Sequence, residues 1–280
     1  MIWLLPAAVC SITIAAILKI NEGAGGSRLV MMGSNYIVAS LIALLMLRGN
    51  PGPFDGITLG LGVLTGADYV ISFLVLMAGI GKGPLALPVT VMRLSVVVPV
   101  IASIFLWNET PGLMRYGGIV LGLAAIVFFG LGVAGHGRKK QATRGFWLLL
   151  AAIFISTGLA SILLKTFREV SPDSRRLAFT WLLFSSAGIL TWLIILSKRI
   201  RVDWKTFRLG MFLGLPNLFS TVFTLKALEN IPASVVFPFI NVTVIFGATL
   251  LGLFVWKEKL DRLSITGLVF AAVSLVLLAR

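Results

Sequence analysis

Apolar residues run along this chain in ten long blocks, separated by short stretches of glycine, proline, asparagine and charge. The blocks are Trp3–Ile20, Val30–Leu47, Gly56–Ile80, Leu85–Trp107, Leu113–Val133, Phe146–Thr166, Leu177–Leu196, Leu209–Leu228, Ala233–Trp256 and Leu263–Ala279. Each comes close to the roughly 20 residues that a helix needs to cross a bilayer core of about 30 Å. Open sheets cannot span lipid, and these runs are too long and continuous for barrel strands, so the pattern predicts helices. The separators carry turn or charge signals: Asn50-Pro51-Gly52-Pro53, Gly81-Lys82-Gly83-Pro84, the basic stretch Gly137–Arg144, Ser171-Pro172-Asp173 and Lys198–Lys205. The expected fold class is an all-α polytopic membrane protein with ten transmembrane helices.

Composition agrees. Of 280 residues, 58% are hydrophobic and 12% charged, and mean hydropathy is +1.03. A soluble chain of this length could not bury that much apolar surface; a bilayer covers it. The net charge of +14 would suggest nucleic acid in a soluble protein. Here most of the basic residues fall between apolar runs, where they orient helices, so nucleic acid is not an expected partner. Cys10 is the only cysteine and lies in an apolar run, and His136 is the only histidine and lies in a basic loop. No disulfide within the chain, metal site or cofactor is expected. The opening Met1-Ile2-Trp3-Leu4 lacks a charged n-region, so the first run reads as a retained helix.

The chain also repeats itself. LWNETPGLMRYGGIVLG (Leu106–Gly122) recurs as VWKEKLDRLSITGLVFA (Val255–Ala271), 149 residues later. Trp107 falls on Trp256, Glu109 on Glu258, Gly118 on Gly267 and, further upstream, Asp68 on Asn217. Gly62-x-x-x-Gly66 has a near match in Gly210-x-x-x-Gly214, and AAILK ending at Lys19 resembles ILLK ending at Lys165. The division is a first five-helix repeat over 1–135, a basic connector over 136–145 and a second five-helix repeat over 146–280. An odd number of spans per half turns the second half over in the membrane. Inverted repeats of this kind occur in many secondary transporters, with substrate held near the midplane.

With these residues in view, the chain resembles the drug/metabolite transporter superfamily, EamA type. The resemblance is carried by Ala227-Leu228-Glu229-Asn230-Ile231-Pro232-Ala233-Ser234, by Glu109 and Glu258 at the openings of the fifth and tenth helices, and by Gly118 and Gly267 after them. It implies a central cavity lined by helices one to four and six to nine, with helices five and ten peripheral. It also implies export of amino acids or other metabolites, without naming one.

Ionisable groups at lipid depth are expensive, about 2.5–3.5 kcal/mol at a helix centre on insertion scales, and usually face a cavity or a partner. Asp68 lies near the middle of the third span and Asn217, next to Pro216, near the middle of the eighth. Arg93 is the only basic residue well inside a span, and Asn241 lies one residue from its repeat mate. Asp68, Arg93, Asn217 and Asn241, with Asn35 and Tyr36 of the second span, are the candidate substrate-binding residues. The bland reading of Asp68 is a hydrogen bond between helices, and that of Arg93 an ion pair with Asp68. Pro88, Pro99 and Pro238 free backbone carbonyls that a cavity wall tolerates better than lipid. Lys19 and Lys165 read as side chains snorkelling to the interface, with a gate or cavity role as the alternative. Glu109 and Glu258 read as structural corners, accepting N–H bonds at a helix start. The Gly-x-x-x-Gly spacings read as close helix packing.

A zwitterion suits Asp68 and Arg93 together, so the expected function is secondary transport, with export the expected direction, of a small amphipathic metabolite such as an amino acid by alternating access, with proton coupling a candidate. A multidrug or cation exporter would need Asp68 alone, and a sugar or nucleotide-sugar carrier would lean on Asn217, Asn241 and Tyr36. A lipid flippase or membrane enzyme would need polar residues clustered at one interface, which the sequence does not display. No nucleotide-binding loop or nucleophile–base pair is visible. The expected state is a monomer or weak homodimer in the inner membrane. Loops after odd spans hold fifteen Lys and Arg against eight after even spans and at the C-terminus, which places the basic loops in the cytoplasm.

Overall fold

The computed structural model describes residues 2–48, 54–82, 86–134, 144–171, 173–255, 257 and 261–280. Turn residues 50–53, Gly83, Pro84 and Pro172, His136 with most of the basic connector, Trp256 and Glu258 lie outside the described residues. The helices are α1 Leu4–Gly23, α2 Arg28–Arg48, α3 Gly56–Lys82, α4 Ala86–Leu94, α5 Val97–Leu106, α6 Leu113–Ala134, α7 Arg144–Val170, α8 Arg176–Ser197, α9 Trp204–Ala227, α10 Ala233–Phe254 and α11 Arg262–Ala279. The ten expected spans map onto them, with α4 and α5 together making the fourth. Among the described residues, nine helical stretches are long and apolar enough to cross a membrane. The tenth, α9, is long enough but carries Lys205, Arg208, Pro216, Asn217, Ser220, Thr221 and Thr224 among its apolar residues.

The fourth span is not the single helix expected. It breaks at Ser95–Val96, and proline chemistry explains the position. Pro99 has no N–H to give the carbonyl of Ser95, which takes the N–H of Val98 instead at 2.9 Å. The hydroxyl of Ser95 donates to Met92 O at 2.6 Å. The bonds thus tighten locally from four-residue to three-residue spacing. Its counterpart α10 carries Pro238 yet stays continuous.

Three helix starts are written in local sequence. Asp55, Asp203 and Asp261 each accept from the backbone N–H three residues on, at Thr58 (2.9 Å), Thr206 (3.0 Å) and Ser264 (2.8 Å). These carboxylates satisfy N–H groups that a helix start leaves without partners. The Asp203 cap starts α9 five residues before the expected Leu209. Ends are marked as well. Asn108 and Lys257, repeat mates, both turn through the left-handed region, with φ of 52° and 53°.

Two compact units divide the chain, one of residues 2–70 and 163–229, the other of residues 71–162 and 230–280. Each draws on both halves of the sequence. In the first unit α2 and α8 cross antiparallel: Gly33 lies against Trp192 and Ile195, and Gly188 against Tyr36, while Ser40 bonds Ser185 at 2.7 Å. Gly62 and Gly66 of α3 seat on Phe179, Leu182, Leu183 and Ser186 of α8, and Gly210 and Gly214 of α9 on Met31, Ser34, Asn35 and Val38 of α2. A β-carbon at Gly66 or Gly210 would run into a serine hydroxyl and a backbone carbonyl, so these spacings are close-approach surfaces. α1 packs antiparallel on α9, with Ser11 bonded to Ser220 at 2.8 Å and Trp3 stacked on Phe223 at 5.7 Å. Two ion pairs, Asp55 with Arg175 and Arg176 with Glu229, tie the starts of α3 and α8 and the end of α9.

In the second unit α6 and α11 run antiparallel. Gly118 lies against Leu277 and Leu278, and Gly267 against Ala125 and Phe129. The contacts are reciprocal under the repeat offset, because Gly118 maps to Gly267 and Phe129 to Leu278. The broken fourth span is seated against three glycines: Gly79 of α3 meets Pro88, Gly130 of α6 meets Thr90 and Gly158 of α7 meets Val98.

Candidate functional site

In the first unit a group of buried and half-buried polar residues lies around the middle of α9. Asn217 Nδ2 donates to Asn35 Oδ1 of α2 at 3.1 Å, and Asn35 is fully buried. The hydroxyl of Thr221, one turn further along α9, donates to Asn217 O at 3.2 Å. Tyr69 of α3 lies beside Thr221. Tyr36 is buried beside Asn35 and packs on Phe184, ring centroids 6.2 Å apart. Pro216 precedes the cluster and leaves the carbonyl of Phe212 without its usual helix donor.

Asp68, adjacent to Tyr69, is 5% exposed. Its Oδ2 makes no hydrogen bond to any described residue. Thr65, one turn back on the same face, is fully buried and spends its hydroxyl on Leu61 O at 2.6 Å. A buried acceptor without a donor costs on the order of 1–3 kcal/mol. Such a group persists where a ligand, a water or a proton completes it.

In the second unit Arg93, in the last turn of α4, points a guanidinium nitrogen at Asn241 Oδ1 of α10, 3.5 Å away. That distance is at the outer limit for a hydrogen bond. Asn241 Nδ2 donates to Phe237 O at 3.1 Å, which fixes the amide orientation. Arg93 and Asn241 thus form a neutral–cationic pair between the broken fourth span and the ninth.

The corner and lysine positions have their own places. Glu109 accepts from Ala233 N and Ser234 N at 2.9 Å each and from the Ser234 hydroxyl at 2.7 Å. The helix start it closes is that of α10, not that of α6, which it immediately precedes. Lys165 is not the snorkelling side chain expected. It is 5% exposed and pairs with Glu169 at 2.5 Å, because α7 continues one turn past the predicted end. Lys19 likewise lies inside α1, short of its end at Gly23.

The structure therefore brings Asn35 and Asn217 together, with Tyr36 adjacent in sequence, and separately Arg93 and Asn241. Sequence reasoning passed over Tyr69 and Thr221. Their signal was present, since Thr221 stands four residues after Asn217, on the same helix face, and Tyr69 stands beside Asp68.

Residues 143–280 match the EamA-like transporter family. An uncharacterised protein of Haemophilus influenzae is 26% identical, over 95% of this chain and 93% of its own length. A solved crystal structure superposes with a TM-score of 0.76 at 14% identity, covering 97% of this chain and 94% of that one; at that identity the likeness speaks for the fold. The matched segment opens at the connector and contains Ala227–Ser234 and Gly267, and residues 143–280 belong to the EamA-like transporter family, of the drug/metabolite transporter superfamily.

Proposed function

We propose that this transporter moves a small amphipathic metabolite, such as an amino acid, outward across the inner membrane by alternating access, and that Asp68 binds the cationic group of the substrate or the coupling proton. The observation that carries the reading is the buried carboxylate oxygen of Asp68 without a donor, next to the polar cluster of Asn35, Asn217, Tyr69 and Thr221. The test is transport in proteoliposomes alongside melting temperature. Asp68→Asn should keep the fold and abolish transport. Transport at the wild-type rate and pH dependence would leave Asp68 a packing residue.

A cation exporter is the second reading, favoured by one observation: Arg93 already has Asn241 opposite its guanidinium. Arg93→Gln separates the two. Loss of transport for amino acids supports a carboxylate contact, and retention of transport for an organic cation supports the second reading.

The two repeats, 1–135 and 146–280, are proposed to be inverted, with 136–145 as connector. The reciprocal, antiparallel contacts of α6 with α11 support this, since repeats turned about an axis in the membrane plane place equivalent helices antiparallel. The charge tally supports cytoplasmic basic loops and both termini outside. A reporter fused to the C-terminus that is active only in the cytoplasm should be silent; an active one overturns the orientation.

A further inference from the structure

A groove of about 370 Å³ follows the crossing of α2 and α8 in the first unit. Its walls are aromatic and aliphatic, with Tyr36, Trp181, Phe184 and Trp192 along its length and the bonded Ser40–Ser185 pair at its floor. Ile189 and Leu41, at its rim, are 63% and 55% exposed. From Trp181 to Trp192 the groove covers about 16 Å of helix at 1.5 Å per residue. It lies wholly within a predicted span, so the medium it meets is hydrocarbon.

One end is chemically distinct. Beyond Trp192, α8 ends at Ser197, and Lys198, Arg199 and Arg201 follow, all exposed. None of the three makes an ion pair with a described residue. The nearby carboxylates are already engaged: Glu22 by Arg28 at 2.5 Å, and Asp203 by the backbone and hydroxyl of Thr206. Trp204, 64% exposed, stacks on Phe207 at 5.5 Å, and Phe207 meets Trp192 edge-on at 6.3 Å. An aromatic chain thus connects the groove to the interface, where tryptophan and basic residues collect. At the other end of α8 the arginines are neutralised by Asp55 and Glu229.

We infer that this groove and its basic mouth form a binding site for one anionic phospholipid. The acyl chain lies along α2 and α8, the ester region sits at the Trp192–Phe207–Trp204 stack, and the phosphate is held by Lys198, Arg199 and Arg201. A cluster of basic residues at the membrane surface attracts anionic lipid, and the groove converts that attraction into a place for one chain. A second copy of the protein fits less well. Docked face to face through the same patch, it would bring the same three cations to the same end. The inference does not depend on what is transported.

The test is native mass spectrometry of the full chain in detergent, titrated with phosphatidylglycerol or phosphatidylcholine of matched chains. Wild type should retain phosphatidylglycerol at least ~5-fold more than phosphatidylcholine, the order expected from even one basic side chain at an anionic surface. The combined variant Lys198→Gln, Arg199→Gln, Arg201→Gln should lose that preference. Ile189→Trp, which fills the groove from an exposed position, should lower retention of both lipids. Equal retention by wild type, an unchanged preference in the charge variant, or undiminished retention by Ile189→Trp would each overturn the site. A dimer whose protomers crosslink through Ile189→Cys would assign the groove to a second copy instead.

Discussion

Asn217 donates through Nδ2 to Oδ1 of Asn35 across 3.1 Å, between helices that come from opposite halves of the chain. Each amide lies where a bilayer offers no other partner, and Asn35 is fully buried. Polar pairs of this kind join membrane helices with average coupling of about 0.6 kcal/mol. Asn35→Leu and Asn217→Leu should each lower stability, and the double variant should fall short of their sum by about 0.6–1.7 kcal/mol. A cycle of reversible unfolding measurements checks this. Strict additivity would show that the two amides do not act as a pair.

Glu109 closes the start of α10 with three bonds, two of them to backbone N–H groups. Ala233 and Ser234 are fully buried, so water cannot replace the carboxylate. Glu109→Ala should cost about 1–3 kcal/mol, the penalty for buried donors left without acceptors. Glu109→Gln, which keeps one acceptor oxygen, should cost less. Equal losses in the two variants, read from melting temperature, would argue against the cap.

Gly66 and Gly210 seat α3 on α8 and α9 on α2. A β-carbon at either meets a backbone carbonyl and a serine hydroxyl. Gly66→Ala and Gly210→Ala should each destabilise by about 1–3 kcal/mol, the usual cost of overpacking. Gly60→Ala, on α3 with open space around it, is the control and should be neutral or stabilising. The comparison is made by thermal unfolding in detergent. A destabilised Gly60→Ala would attribute the effect to helix chemistry in α3 rather than to contact.

Asp203 caps α9 from outside the span. The backbone N–H of Thr206 holds its carboxyl below the ordinary 3.8, with burial opposing and the Thr206 hydroxyl helping. A depressed folded value means that the stabilisation is full above the unfolded pKa and fades as pH falls through the folded one. Wild type should therefore lose melting temperature below about pH 4, near the unfolded aspartate value. Asp203→Asn caps comparably at neutral pH and should show a smaller acid-induced loss. An identical acid slope in the two proteins would remove Asp203 from the acid response.

Much of the architecture is local, and local features are legible in sequence. The apolar blocks are helices because a bilayer leaves the backbone no partner but itself. Asp55, Asp203 and Asp261 start helices because a carboxylate three residues before an N–H satisfies it. Asn108 and Lys257 end spans in the same conformation because they occupy the same place in a repeated segment. Asp68, Arg93 and Asn217 stood out because polar groups at lipid depth are costly.

Other features depend on which helices meet. No spacing within α9 says that Asn217 finds Asn35, or that Thr221 finds Tyr69, because those partners lie far away in sequence and are selected by packing. Pro99 and Pro238 carry the same backbone defect, yet α4–α5 breaks and α10 does not, so neighbouring contacts decide whether the defect becomes a joint. Lys165 was expected at the interface and is buried because α7 continues past it to place Glu169 one turn on. Glu109 caps α10 rather than its own helix because a carboxylate at a corner serves whichever helix start lies within 2.9 Å. Sequence alone determined where the chain enters lipid and which residues are out of place there; only the tertiary structure decided what they touch, because hydrogen bonds between helices depend on a register that each helix cannot encode by itself.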